Sequence, residues 1–404
     1  PGPIQGNMVQ PFLKRRLGLA PVTYLHPLLE PALQETLGVI LFQEQVLQAA
    51  VAVAGFNPAQ ADALRRVRSR RRSSEILGRM KGRFLEGARE KGVPQEVAEA
   101  VFASLEGFAL YGFCKSHALS FARLSYLSAW LKLYYPAAFA AALINNQPMG
   151  FYPTETLMED AKRHGVQVLP IDINASAERC TVDGMDLRLG LSLIHGFSEA
   201  ACQKLLLERS CLGGFASLRH YYQSCYPSTR AVEALIQAGA FDSFGLERRD
   251  LLWQLWVLER DAAEGPSLFD LPCQVPPLPK ADAWALMNGE YQTIGMSLQG
   301  HPMAHLRPSI SPVADARALK TASQGARLSV AGMVVCRQRP PTAKGFAFLT
   351  IEDEYGMMNL ILSPPVYERC RLAFRTGRFV LGRGVVDRRD GVVNLKLDDL
   401  KNLT

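Results

Sequence analysis

The sequence has no C-x-x-C pair. Its eight cysteines, at 114, 180, 202, 211, 225, 273, 336 and 370, are scattered, with no histidine at finger-like spacing. Neither a zinc site nor a disulfide framework is indicated, which suits a reducing cytoplasmic setting. Long apolar runs are missing too. The richest, Ala137 to Ile144, is too short to span a bilayer, and the first sixteen residues hold no signal-type apolar core. The chain is therefore read as soluble, with no membrane partner. Compositional bias is equally absent: 48% hydrophobic and 21% charged residues are ordinary globular values. A length of 404 residues leaves room for about two to four domains. The opening Pro-Gly-Pro without Met has the look of a segment cut from something longer.

What is present is charge in one place. The formal net charge is +7, and between Arg65 and Lys91 eleven Lys and Arg face three Glu, a local excess of +8. Arg65, Arg66, Arg68, Arg70, Arg71 and Arg72 crowd into its start. Consecutive arginines point around a helix axis rather than along one face, so the run fits an extended polyanion, nucleic acid first, better than a single carboxylate.

Punctuation organises the rest. Gly55 closes one helical pattern, and Asn57 with Pro58 reads as the cap and first turn of the next, which carries the arginines. From 116 to 135 apolar residues recur on most sides at helical spacing, which predicts a buried helix ended by Pro136. Lys115, Ser116 and His117 stand at its start, where free N–H groups favour an anion; the alternative is a capping serine and a structural histidine. Further on, His195-Gly196 reads as a tight turn between two helices, resembling a helix-hairpin-helix element that offers N–H groups to phosphate, with Ser198 where a second Gly is usual. Residues 265 to 312 are Pro-rich and read as a linker around one helix near Trp284 to Met287. The last ninety residues change period: three strand-like runs, a helical candidate and two more strands, the order of an OB-fold barrel. Its second strand alternates Phe346 and Phe348 just after Lys344, and the two aromatics are either a stacking surface for single-stranded bases or part of the barrel core.

Three stretches, "PGPIQGNMVQPFLKRR", "GVILFQEQVLQAAVAVAGFNPAQADALRR" and "YGFCKSHALSFARLSYLSAWLKLYYPAAFAAALINN", resemble the fingers region of bacterial C-family DNA polymerases, the group that includes the polymerase III alpha subunit. The likeness continues collinearly to the last strand. "NNQPMGFYP" and "GMSLQGHPMAHLRP" are similar to the error-prone, damage-inducible ImuC-type branch. The resemblance implies a multidomain α+β fold: a mostly helical fingers domain (1–180), a tandem helix-hairpin-helix domain (181–275), a Pro-rich linker (276–324) and a five-stranded OB-fold (325–404). It implies a part of a DNA-directed polymerase acting in translesion synthesis, DNA repair and induced mutagenesis. Primer-template DNA, single-stranded template and incoming dNTP are its implied partners.

The family's chemistry uses two Mg2+ ions held by paired aspartates. No such set is legible here, so no catalytic residue and no cofactor is assigned to this chain, which is expected to be inactive alone. By the same resemblance Arg65, Arg66 and Lys115, with Ser116 and His117 beside it, meet the nucleotide triphosphate, while Arg68 to Arg72, the His195-Gly196-Ser198 turn and the Lys344, Phe346, Phe348 strand meet DNA. Leu268 and Phe269 match the apolar anchors of a sliding-clamp peptide, but Gly265 stands where its Gln would be, which predicts weak clamp binding and recruitment through companion mutagenesis proteins. The competing readings are a stand-alone helix-hairpin-helix and OB DNA-binding module, and a platform for acidic proteins.

Overall fold

In the computed structural model, which describes residues 8–66, 73–109, 113–264, 275–310, 312–389 and 391–403, the helix Gln43–Ala54 ends at Gly55 in the left-handed region (φ 64°). The next helix, Pro58–Arg66, opens on a reciprocal cap. The Gln60 N–H donates to Asn57 Oδ1 at 2.9 Å, and the Asn57 N–H donates to Gln60 Oε1 at 3.0 Å, satisfying two otherwise orphaned donors. These helices pack with Ser73–Glu90 and Gln95–Ala109 around Val46, Val53, Phe84, Phe102 and Leu105. Phe84 sits between Phe56 and Phe102, with ring centroids 5.8 and 5.3 Å away. This is the core of the first of two compact units, divided between Ala129 and Trp130.

The helix Lys115–Tyr134 runs across that division and differs from expectation: not one of its residues is buried. Leu124, Tyr126, Leu127, Leu131 and Leu133 are all exposed. Apolar periodicity determines what surface a helix offers; burial also requires a neighbour packed along it.

In the second unit, one capping device recurs among the described helices. Ser198, Ser217, Ser228 and Asp282 accept the N–H three residues on, at the starts of Glu199–Leu212, Leu218–Cys225, Thr229–Gln237 and Ala283–Ile294. Together with Arg248–Glu264 they enclose Leu205, Tyr221, Leu235, Phe241 and Leu251. The arm before the Gly196 turn is not the helix expected from sequence. It is a small sheet, in the order β1 (Val168–Leu169), β3 (Asp186–Arg188), β2 (Thr181–Asp183), followed by a single 3-10 turn, Leu191–Leu193. Gly190 explains the stop: a Cβ there would lie 2.3 to 2.7 Å from the backbone of residues 178–180, so the chain is pressed flat at that point. In the described part of the Pro-rich segment, Ile294 and Met296 enter this same core.

The last strands close into a barrel in the order β4 (Arg327–Gln338), β5 (Ala347–Asp353), β6 (Gly356–Leu362), β8 (Val392–Asn402), β7 (Phe379–Arg389). Two short helices, Pro364–Arg369 and Arg371–Thr376, fall between the third and fourth strands, and alternate strand residues such as Leu349, Ile351, Leu360 and Leu395 fill the interior. The fold is thus a helical N-terminal region, a hairpin-helix region and a closed five-stranded OB barrel.

Candidate nucleic-acid interface

Arg65 and Arg66 are the last two residues of the helix Pro58–Arg66. Arg68, Arg70, Arg71 and Arg72 lie outside the described residues, as do the clamp-type Leu268 and Phe269. The described part of the basic segment continues on the helix Ser73–Glu90. There Arg79 and Arg83, one turn apart, line a cavity of about 270 Å3 with Phe56, Gln60, Ala63 and Met80. Two guanidinium groups thus stand over a partly apolar floor.

The start of the helix Lys115–Tyr134 already holds an anion. Glu44 presents both carboxylate oxygens to the Lys115 N–H, at 3.1 and 3.0 Å, and accepts from Cys114 Sγ at 3.2 Å. Burial pushes the Glu44 carboxyl up, but hydrogen bonds from its own N–H, the Lys115 N–H and Cys114, with the Lys115 charge, outweigh it and hold the group below the usual carboxylate range. Lys115 Nζ pairs with the exposed Glu35. A surface pair of this kind is worth about 0–1 kcal/mol, so Lys115 is readily exchanged to a stronger anion. Ser116 Oγ lies 2.9 Å from Cys114 Sγ, and the His117 ring sits edge-on between Phe113 and Phe121. Glu44 and Glu35 were missed by sequence reasoning, because about seventy residues separate them from their partners and no local spacing records the contact.

The hairpin-helix region holds two glycine turns, each with an arginine against it, and the two arginines differ in charge balance. Gly196 has φ +84°, and a Cβ there would lie 3.5 Å from Arg230 Nε. Arg230 has no ion-pair partner among the described residues. At the second turn a Cβ on Gly239 (φ +82°) would lie only 2.4 Å from Arg248 Nη2. Arg248 is buried and fully answered: Nη2 donates to Asp242 at 2.7 Å and Glu290 at 2.8 Å, and Nη1 to the Gln237 carbonyl at 2.9 Å. The first turn therefore carries an uncompensated cation and the second an internal brace. Around Gly196 the roles are divided. The His195 N–H donates to the Thr293 carbonyl at 2.7 Å and is used internally. Ser198 accepts from the Ala201 N–H at 3.2 Å, so it replaces the usual glycine as a helix cap. Arg230 comes from the next helical unit, and only the folded chain brings it to the turn.

On the barrel, Lys344 is exposed in the loop before β5, in the left-handed region at φ +50°. Phe346 precedes the strand and Phe348 lies within it, and they are 38% and 36% exposed. Ala347, Leu349 and Ile351 are buried, so strand alternation turns Phe348 outward rather than into the core. Among the described residues no group of three His, Cys, Asp or Glu could hold a metal ion, and no helix is long and apolar enough to cross a membrane.

Buried charge joins the barrel to the helical part of its unit. On the helix Thr154–Arg163, Glu155 receives the Tyr291 hydroxyl, and Arg163 Nη1 lies 2.8 Å from Glu352 Oε1 on β5. That contact is an ion pair without hydrogen-bond alignment, so the oxygen is charge-compensated only. Burial, then repulsion from Glu352, pushes the Glu155 carboxyl up to about 8 from 4.5. Burial pulls His301 down to about 4 from 6.5. The two act with opposite sign. The unfolded chain releases the Glu155 proton first, so that contribution is full below pH 4.5 and is lost as pH rises towards 8. For His301 the unfolded chain holds the proton longer, so stability rises from pH 4 to 6.5 and then levels. The expected result is a urea-unfolding midpoint that falls between pH 6.5 and 8, a fall that Glu155→Gln removes. A wild-type midpoint level over that window would contradict the assignment.

Comparison with known proteins follows the same order along the chain. Residues 1–92 match the bacterial DNA polymerase III alpha subunit finger domain, residues 165–251 a helix-hairpin-helix motif, and residues 328–403 an OB-fold nucleic acid binding domain. The error-prone DNA polymerase of Anaeromyxobacter sp. (strain K) is 43% identical over 417 residues, covering 100% of this chain and 37% of that protein. Those of Mycolicibacterium paratuberculosis and Corynebacterium efficiens are 41% identical over 409 and 411 residues, again across the whole chain and over 37% and 38% of their own lengths. The chain thus spans little more than a third of the curated relatives it matches. Among solved structures, the asparaginyl-tRNA synthetase of Pyrococcus horikoshii is 21% identical over 23% of each chain, with a TM-score of 0.21, too low to place any residue.

Proposed function

Since the chain is homologous over its whole length to part of the error-prone DNA polymerases, we propose that it is the portion of such an enzyme that holds DNA and the incoming nucleotide. In this reading Arg65, Arg66 and Lys115, with Ser116 and His117, serve the triphosphate. Arg68 to Arg72 and the Gly196 turn serve DNA phosphates, and the barrel with Lys344, Phe346 and Phe348 serves the single-stranded template. Arginine suits the phosphate roles because its planar fork of donors grips phosphate oxygens and keeps its charge. The observation that carries the reading is Arg230, a guanidinium with no ion-pair partner among the described residues, beside a glycine turn at a helix start, in contrast to its internally neutralised counterpart Arg248.

The work of the intact enzyme, template-directed nucleotidyl transfer during translesion synthesis and repair, belongs to the same proposal. So do companion mutagenesis proteins, a weak clamp contact through Leu268 and Phe269, and a cytoplasmic setting. Magnesium would supply the transfer chemistry in the intact enzyme. No step is assigned through it, and the inactivity of this chain alone is part of the same proposal. The test is fluorescence anisotropy of a labelled primer-template and a matching single strand, at low and at physiological salt. Binding that weakens steeply as salt rises supports the reading, because each neutralised phosphate releases counterions. No binding at low salt overturns it.

A further inference from the structure

Asparagine is depleted in β-strands, yet two asparagines face each other across the outer surface of the barrel. Asn359 on β6 pairs with Asn394 on β8. A bulge in β4 extends this polar surface. Pairing with β5 runs from Met333–Glu352 and Val334–Ile351 to Cys336–Thr350 and Gln338–Phe348, leaving Val335 as the extra residue. That insertion turns Cys336 and Gln338 to the side where Thr350 and Phe348 point. Thr350 pairs with Asn359, and Phe348 with Ile361, which in turn pairs with Lys396. Two cross-strand rows result: Cys336, Thr350, Asn359 and Asn394 in one, and Gln338, Phe348, Ile361 and Lys396 in the other.

Between the rows lies an open cavity of about 190 Å3, with Gln338, Phe348 and Ile361 on one side and Cys336, Thr350, Asn359 and Asn394 on the other. It is smaller than the roughly 300–1,000 Å3 of pockets for drug-sized ligands, and so suits one flat ring rather than a whole nucleotide. Its polar groups are largely unspent. Asn394 makes no side-chain hydrogen bond among the described residues, and Asn359 makes one long contact, accepting from Thr350 Oγ1 at 3.4 Å. The one charged residue of the two rows is already paired: Lys396 Nζ lies 3.0 Å from Asp387 Oδ2.

We propose that this cavity holds a single unstacked nucleobase of single-stranded DNA, with the base face on Phe348 and the base edge against the carboxamides of Asn359, Asn394 and Gln338. The proposal rests on the reading that the chain holds template DNA, and it adds that the barrel reads bases rather than phosphates. A carboxamide offers both a donor and an acceptor, as the Watson–Crick edge of a base does, and in a duplex that edge is already paired. The site is therefore selective for single strands, and its contacts release few counterions.

The test uses the full chain with short labelled single strands of each base and an abasic strand of the same length and phosphate count. Base-bearing strands are expected to bind roughly tenfold tighter than the abasic strand, a difference that Phe348→Leu removes. Asn359→Leu keeps the approximate size of the side chain and removes both its donor and its acceptor without adding charge. It is expected to change the preference among the four bases while leaving the salt dependence unchanged. Equal binding of abasic and base-bearing strands would overturn the cavity proposal while leaving DNA binding intact. A base-bearing advantage untouched by both variants would place the contact elsewhere and overturn it as well. If no strand binds at low salt, the DNA-holding reading itself has failed and this proposal falls with it.

Discussion

Arg248→Ala is expected to destabilise the second unit by about 3–5 kcal/mol, the usual consequence of removing one partner from a buried ion pair. Burial pulls the Arg248 guanidinium down, but its bonds to Asp242 and Glu290 outweigh that and hold it above its ordinary range. The side chain is 8% exposed and that of Glu290 3%, against 42% for Asp242. Glu290 is thus the charge that cannot be rehydrated in place once the arginine is gone. It also gathers the Ser297 hydroxyl at 2.6 Å and the Leu298 N–H at 2.9 Å, so the loss reaches the segment that carries Met296 into the core. Urea unfolding measures the effect. The double variant Arg248→Met, Glu290→Gln, which removes both charges together, is expected to recover much of the loss. A single variant as stable as the wild type would show that the two residues are not a buried pair in solution.

Replacing Arg68, Arg70, Arg71 and Arg72 together by Gln is expected to lower the slope of log affinity against log salt for primer-template DNA by roughly 4, about one for each phosphate no longer neutralised. Arg230→Ala is expected to lower it by roughly 1, the change for one guanidinium assigned to a single phosphate in the proposed reading. Arg230 is exposed, so the thermal transition of its variant should stay where it is, and in both variants the weakening should be uniform across DNA sequences. An unchanged salt slope in the fourfold variant would remove the arginine run from the DNA path. An unchanged slope with Arg230→Ala would leave the Gly196 turn as a structural element only.

Much of the architecture was legible because local rules and tertiary packing agree. Gly55, Asn57 and Pro58 mark a helix end and a helix start through φ, a side-chain cap and a preset first turn, and all three effects act within a few residues. The barrel order follows from strand-length runs interrupted by one helical segment. The arm before Gly196 was misread as a helix, since its apolar residues suit either state and only pairing between β3 and its neighbours decides. The Pro-rich segment was read as a linker because proline signals a break in local structure, while the burial of Ile294 and Met296 depends on helices far away in the chain.

The sequence by itself determined composition, local charge and local period: one concentrated basic segment, capped helices, and five strands in barrel order. Tertiary structure alone decided which charges remain free. Glu44 occupies the helix start at Lys115, Asp242 and Glu290 cancel Arg248, and nothing among the described residues cancels Arg230, although all three basic residues look alike in the chain. It also decided that the apolar helix Lys115–Tyr134 stands exposed, and that a bulge at Val335 brings Gln338 beside Phe348. The reason is the same in each case: pairing and burial depend on distance in space, and neighbours separated by tens of residues leave no pattern in the sequence between them.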